Sequence, residues 1–283
     1  MNKDSEYYLK PKKLFSQNFL IDNNIARKIA SFIQTHDDDI IIEIGCGTGS
    51  LTQYLLEKGT TLIGTEIDRQ AIGVLNKKFP KQKFPNFILL NRDILQISLS
   101  DLILKYNLPG TFKFCIAGNI PYKISSEIFF WLFHQSKYID KSYLMIQKEV
   151  AQRLTAKPRC KEYGILTIAM ELAGRCKTLF DVPSTCFHPR PDVTSTVIEM
   201  TYDKAIEVQY FKDVMCLVRT AFNQRRKTLR NGLMNLLEKK FKSDKEKIGK
   251  FIFVHSEIYF KKRAEELTTD DFITLHNLIN NMK

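Results

Sequence analysis

Ile40-Ile41-Ile42-Glu43-Ile44-Gly45-Cys46-Gly47-Thr48-Gly49-Ser50 is the stretch on which the fold turns. Four isoleucines around one acid read as a strand buried on both faces, because β-branched side chains suit a pleated, covered surface. The glycines that follow let the backbone turn sharply and let a ligand approach with no Cβ in the way. A helical segment from Ser50 to Glu57 completes a strand–turn–helix unit. Glycine spacing narrows the ligand. Dinucleotide binders carry G-x-G-x-x-G, whereas here the third glycine, Gly49, comes one position early and Ser50 stands in its place. No G-x-x-x-x-G-K-[ST] is present, which excludes a Walker-type phosphate cradle at this turn.

Outward from this unit the pattern repeats. Thr61-Leu62-Ile63-Gly64-Thr65-Glu66, Phe87-Ile88-Leu89-Leu90, Phe114-Cys115-Ile116-Ala117 and Tyr143-Leu144-Met145-Ile146 are short apolar runs at the spacing of a βα repeat. They predict an α/β fold, a Rossmann-like, mostly parallel sheet with helices on both faces. Ligands in such sheets bind beyond the carboxyl ends of the strands, at the topological switch point. After Tyr202 strand-like runs become scarce and basic residues outnumber acids. The sequence therefore predicts a binding domain over 1–202 and a smaller helical domain over 203–283. Within the second, Val218, Phe222, Leu229, Leu233 and Leu236 share one face of a predicted helix over 218–237.

Composition sets the partner class. The 283 residues are 44% hydrophobic, enough for a core, and carry a formal charge of +12. Such an excess favours a polyanion, nucleic acid or an anionic surface. The densest apolar stretch, Ile128 to Phe133, falls far short of the ~20 residues that cross a bilayer, and the N-terminus has no apolar core of a secretory signal. Cys46, Cys115, Cys160, Cys176, Cys186 and Cys216 form no C-x-x-C pair, so reduced thiols in cytoplasm are expected. The five histidines have no i,i+4 pairing, and no metal is expected.

Glu66 closes the second strand, where a carboxylate can accept hydrogen bonds from both hydroxyls of a ribose. Asp93, after the third run, can accept from an adenine amine. A glycine turn, a ribose acceptor and an adenine acceptor without a pyrophosphate cradle suggest S-adenosylmethionine. Ala117-Gly118-Asn119-Ile120-Pro121-Tyr122, where the fourth run ends, suggests what is methylated. An exocyclic base amine is a poor nucleophile because its lone pair is delocalised into the ring. Two acceptors at its hydrogens favour a pyramidal nitrogen. The Asn119 side-chain oxygen and the Ile120 carbonyl could supply them, with Pro121 setting the carbonyl's direction. Tyr122 could stack on the base, worth about 1–3 kcal/mol.

With these residues in view the chain resembles the ribosomal RNA adenine N6-dimethyltransferases, most closely the type that acts on small-subunit (16S) RNA. The resemblance runs through Phe15-Ser16-Gln17-Asn18-Phe19-Leu20, the Glu43–Gly49 turn, Asn119–Tyr122, Gln147-Lys148-Glu149-Val150, Phe187-His188-Pro189-Arg190-Pro191 and Ala221–Arg230. It implies that Asn18, Leu20, Gly45, Gly47, Glu66, Asp93 and Asn119 line a site for S-adenosylmethionine, under a segment folded back before strand one. It implies that Phe187 faces Tyr122 across a target adenine splayed out of its stack. The implied product is two adjacent N6,N6-dimethyladenosines near the 3′ end of small-subunit RNA, with a second role in subunit assembly. Ile120 replaces the family's usual Leu, which leaves the backbone carbonyl intact; His188 and Arg190 decorate the Phe187 loop.

On a helical wheel Arg219, Asn223, Arg226 and Arg230 fall within about one 40° arc at 3.6 residues per turn. Lys227 flanks them, and Arg225 completes a basic cluster suited to RNA phosphates. The competing readings are a large-subunit (23S) adenine methyltransferase of the macrolide-resistance type, which shares Asn-x-Pro-Tyr chemistry, and a mainly non-catalytic ribosome-assembly factor. A DNA adenine methyltransferase lacks support because no separate target-recognition domain is visible. The glycine spacing counts against a nicotinamide oxidoreductase. A monomer is expected, as no long apolar seam calls for a dimer.

Overall fold

The computed structural model describes residues 18–36, 38–202 and 207–281. Phe15, Ser16 and Gln17 of the first resemblance motif lie outside them. Two compact units divide the chain.

The first unit, residues 1–151 and 175–203, is built on a seven-stranded sheet. In chain order its elements are β1 (Phe19–Leu20), α1 (Asn23–Phe32), β2 (Ile40–Ile44), α2 (Thr52–Leu56), β3 (Thr61–Thr65), α3 (Arg69–Lys78), β4 (Phe87–Leu90) and α4 (Leu99–Lys105). Then come β5 (Phe114–Asn119), α5 (Ser125–His134), β6 (Ile139–Gln147) and α6 (Lys148–Leu154), the last crossing into the second unit. After α7 (Ile165–Ala173), which lies in the second unit, β7 (Arg175–Val182), β8 (Phe187–His188) and β9 (Ser195–Thr201) complete the strands. The sheet order is β4-β3-β2-β5-β6-β9-β7. The first five are parallel, and β9 runs antiparallel between β6 and β7. All five residues of β2 are buried, as its unbroken β-branched run requires. The chain leaves β2 for β3 on one side and returns as β5 on the other, so the strand order switches at β2 and β5. A crevice opens beyond their carboxyl ends. Gly118 permits this join: a Cβ there would lie 2.6 Å from the Ile44 carbonyl oxygen.

Helix starts follow from side-chain caps. Asp22 accepts from the N–H groups of Asn24 and Ile25 at the head of α1, and Asp68 from Gln70 at the head of α3. A second, two-stranded sheet pairs β1 with β8, Phe19 opposite His188 and Leu20 opposite Phe187. The Ile21 N–H donates to the Cys186 carbonyl at 2.9 Å and extends this pairing.

The second unit, residues 152–174 and 204–283, is helical. It holds α7, α8 (Val208–Asn223), α9 (Leu229–Gly232), α10 (Met234–Lys240), α11 (Lys245–Val254) and α12 (Thr269–Asn281). The sequence assigned residues 152–174 to the first domain; the structure groups them with the helices. The reason is apolar: α7 buries Leu166, Ile168, Met170 and Leu172 and packs with α8 and α12. Just ahead of it, the Tyr163 hydroxyl donates to the Leu267 carbonyl at 2.8 Å.

The predicted single helix over 218–237 is also corrected. Helix α8 ends at Asn223, and α9 begins only at Leu229. The Leu229 N–H donates to the Lys262 carbonyl, and Thr228 bridges to Arg263. These tertiary bonds replace the helical ones that would have carried α8 onward. Val218, Leu229 and Leu233 are buried as expected, but from α8, from α9 and from the join between α9 and α10. No helix among the described residues is long and apolar enough to cross a membrane.

Candidate active site

The switch-point crevice is an open cavity enclosing about 940 Å³, solvent mouth included. Its floor is the glycine turn. Gly47 has φ +53°, a region costly for any residue with a Cβ, and a Cβ there would meet the Phe19 ring at 3.0 Å. The Gly47 N–H donates to Glu66 Oε2 at 2.8 Å, and the Asp68 N–H to Glu66 Oε1 at 2.9 Å. Burial pushes the Glu66 carboxyl up, and these N–H groups pull the other way without undoing the rise. A carboxylate offers about four acceptor sites, so each oxygen keeps a lone pair for a ligand hydroxyl. Asp93 takes the Leu95 N–H on Oδ1 at 3.0 Å, which leaves Oδ2 for a ligand amine.

At the other end, β5 delivers Asn119. Its Nδ2 donates to the Asn18 carbonyl at 2.9 Å, which sets the amide's direction and leaves its oxygen as acceptor. The Ile120 N–H donates to the Met145 carbonyl at 3.0 Å, fixing the peptide whose carbonyl comes next. Pro121 holds φ −58° ahead of a single tight turn at Tyr122–Ile124. The Tyr122 hydroxyl shares a hydrogen bond of 2.7 Å with Ser195 Oγ, and burial raises its pKa.

Asn18, Gly45, Gly47, Glu66, Asp93, Asn119, Ile120, Pro121 and Tyr122 all line this one cavity. Leu20 and Phe187 do not. They pair with each other between β1 and β8 and sink into the core at 4% and 3% exposure. They hold the strap that carries Asn18 and Phe19, and Phe187, expected to face Tyr122 across the target adenine, does not line the cavity. Phe19, Ile67, Ile94 and Lys123 line the cavity unforeseen. The signal for Ile67 and Ile94 was present, since each directly follows a predicted acidic ligand. Glu43 was quoted in the turn without a role. It is buried at 1% exposure, which pushes its carboxyl up to about 7. The Thr52 hydroxyl and Cys46 thiol beside it pull the other way without undoing the rise. One of its oxygens has no hydrogen-bond partner among the described residues.

The basic cluster lies in the second unit, and its predicted arc does not survive the break after Asn223. Arg219, Arg226, Lys227 and Arg230 are exposed. Arg225 is half-buried: its Nε pairs with Glu265 at 2.6 Å and a terminal nitrogen donates to the Cys160 carbonyl. That guanidinium is occupied within the protein. No group of three or more metal-ligating side chains occurs among the described residues.

The profile of the ribosomal RNA adenine dimethylase family matches residues 8–280. A Porphyromonas gingivalis protein named ribosomal RNA small subunit methyltransferase A is 38% identical over 272 residues, 96% of this chain and 98% of that protein. Among solved structures, a dimethyladenosine transferase from Plasmodium falciparum superposes with a TM-score of 0.76 at 28% identity, covering 90% of this chain and 95% of that one. A 23S rRNA methyltransferase, ErmE, shares the fold with a TM-score of 0.65 at 20% identity, covering 93% of this chain and all of its own.

Proposed function

The chain belongs to the ribosomal RNA adenine dimethylase family, and from that premise we propose that it transfers methyl groups from S-adenosylmethionine to N6 of two adjacent adenosines near the 3′ end of small-subunit (16S) ribosomal RNA, giving N6,N6-dimethyladenosine. One observation carries the reading: the Asn119–Tyr122 motif and the pair Glu66 and Asp93 wall the same cavity. An amine-presenting group and a nucleoside-binding group facing one space is the arrangement methyl transfer to a base requires.

The residues fit the cofactor. Glu66 keeps acceptor capacity for two ribose hydroxyls, Asp93 Oδ2 for the adenine amine, and Ile67 and Ile94 offer apolar walls to a purine ring. When bound, S-adenosylmethionine supplies a methyl group on a cationic sulfur. The remaining work is done at the acceptor. The Asn119 oxygen and the Ile120 carbonyl receive the two N–H groups of the target amine, which localises its lone pair. After one transfer the amine keeps a single N–H, so the second transfer relies more on stacking against Tyr122. No residue need take the proton before the new bond forms. Tyr122 is not placed to take it, because its hydroxyl is bound to Ser195 and burial raises its pKa.

In the helical unit, exposed Arg219, Arg226, Lys227 and Arg230 are suited to RNA phosphates. The small subunit is the partner, and a role in its assembly accompanies the reaction. The same reading has the enzyme work in the cytoplasm as a monomer. The test is transfer from labelled S-adenosylmethionine to unmethylated small subunits, with large-subunit RNA in parallel and the product nucleosides separated. N6,N6-dimethyladenosine confined to the small subunit is expected. Label confined to large-subunit RNA would move the chain to the resistance class, and label in neither would leave only an assembly factor.

A further inference from the structure

Tyr122 lines the cavity, yet its one polar atom is engaged elsewhere, on the hydroxyl of Ser195, which is fully buried and does not line the cavity. Ser195 opens β9 and is gripped from both sides, opposite Gln147 of β6 and Val182 of β7. The next residue tightens the grip. Thr196 Oγ1 donates to Asp181 Oδ1 at 2.6 Å, and Asp181 Oδ2 pairs with Lys148 Nζ at 2.6 Å. The Lys148 N–H in turn donates to the Thr194 carbonyl at 3.0 Å. This brace gives Gln147-Lys148-Glu149-Val150, a motif left without a task above, a mechanical one.

We propose that Ser195 is a positioning residue for methyl transfer: its hydroxyl ties the Tyr122 ring to the strand junction β6–β9–β7 and so fixes the wall against which the target adenine stacks. The proposal rests on the adenine-methylating reading of the same site. A ring free to swing would still stack, but would present the amine at varied angles, and small misplacements of a reacting group cost rate steeply. The second transfer suffers more than the first, because the monomethylated amine has lost one of the two N–H groups that hold it to Asn119 and Ile120.

The experiment compares the full-length chain with Ser195→Ala, Tyr122→Phe and the double variant. Single-turnover methylation of unmethylated small subunits, the mono- to dimethyl product ratio and S-adenosylmethionine affinity are all measured. Each single variant is expected to slow transfer about tenfold and to accumulate monomethyladenosine, while cofactor affinity stays within about twofold of the parent. The double variant is expected to be no slower than the slower single, since both remove one bond. Carbon-13 at the tyrosine ring position bearing the hydroxyl gives a second readout: the resonance missing in Tyr122→Phe must shift in Ser195→Ala. Losses that multiply, a Ser195→Ala enzyme at parental rate, or rate and cofactor affinity falling together would each overturn the proposal. Should Ser195→Ala not fold, Tyr122→Phe breaks the same bond from the cavity side, and a parental rate there overturns it equally. A parent chain that methylates no subunit adenine would instead sink the functional reading, and the resonance would still decide whether Ser195 holds Tyr122.

Discussion

The two ends of the cavity are built by different means. The cofactor end is local: a glycine turn, and carboxylates at the ends of neighbouring strands whose oxygens are held by backbone N–H groups nearby in the chain. The target end depends on distance. Asn119 is aimed by a carbonyl 101 residues away, and Tyr122 is held by a serine 73 residues on. On the proposed reading, the nucleoside receptor is the glycine turn with Glu66 and Asp93, each carboxylate held by backbone N–H groups. Aiming side chains at one amine takes partners from the whole unit.

That contrast can be broken by substitution. Asn119→Ala carries the largest expected effect: at least about 100-fold slower transfer, as for loss of an oriented polar group at a reacting centre, with cofactor affinity changed only a few-fold. If single-turnover rate and calorimetric affinity fell together, the two ends would not be separable. Glu43 comes next and tests the cofactor end from beneath. Its raised carboxyl binds a proton in the folded chain that the unfolded chain has released. Stability from this site is therefore full below an ordinary 4.5 and is lost as pH rises to about 7. The span is roughly 3 kcal/mol. Cys46, Glu66 and Lys78 are the titratable groups facing it. Glu43→Gln should flatten that slope, so denaturant melts at pH 5 and pH 8 should differ less than in the parent.

Glu66→Gln sharpens the contrast at smaller scale. An amide places N–H groups against the N–H of Gly47 or of Asp68, and about a tenfold weaker grip on S-adenosylmethionine is expected. Transfer at saturating cofactor should stay near the parental rate; a lost rate would mean that Glu66 also serves the target end. The smallest effect belongs to the helical unit. Arg226→Ala with Arg230→Ala should lower RNA affinity a few-fold and reduce the slope of log affinity against log salt by about 1.4–1.8. An unchanged slope would remove both arginines from the interface.

The sequence showed the local half of this molecule well. Strands β2, β3 and β4 lie where their apolar runs placed them, and Glu66 and Asp93 stand at the strand ends that βα geometry assigns to ligands. The rest was hidden for physical reasons. Strands of two residues such as Phe19–Leu20 and Phe187–His188 are too short to show a period. Their pairing took Leu20 and Phe187 into the core, though both were expected at the site. Ser195 is one hydroxyl among several in Pro191-Asp192-Val193-Thr194-Ser195-Thr196, and its value exists only through Tyr122. Gln224-Arg225-Arg226-Lys227 are sound helix formers with no glycine or proline among them. The contacts of Thr228 and Leu229 with residues 262–263 turn the chain there instead. The domain edge shifted for a similar cause, because the apolar faces of α7 found their partners among helices distant in sequence.

The strap formed by β1 and β8 also orders events in time as the chain is made. A nascent chain that has emerged as far as Asn119 already holds the glycine turn, Glu66, Asp93 and the amide itself. It lacks Phe187 and His188 to pin the segment bearing Asn18, and it lacks Ser195 to hold Tyr122. Half-made copies therefore carry the residues of the nucleoside pocket before they carry those that aim an adenine. An enzyme that acts on ribosomal subunits thus stays without its aimed amide and tethered tyrosine until most of its own translation is finished.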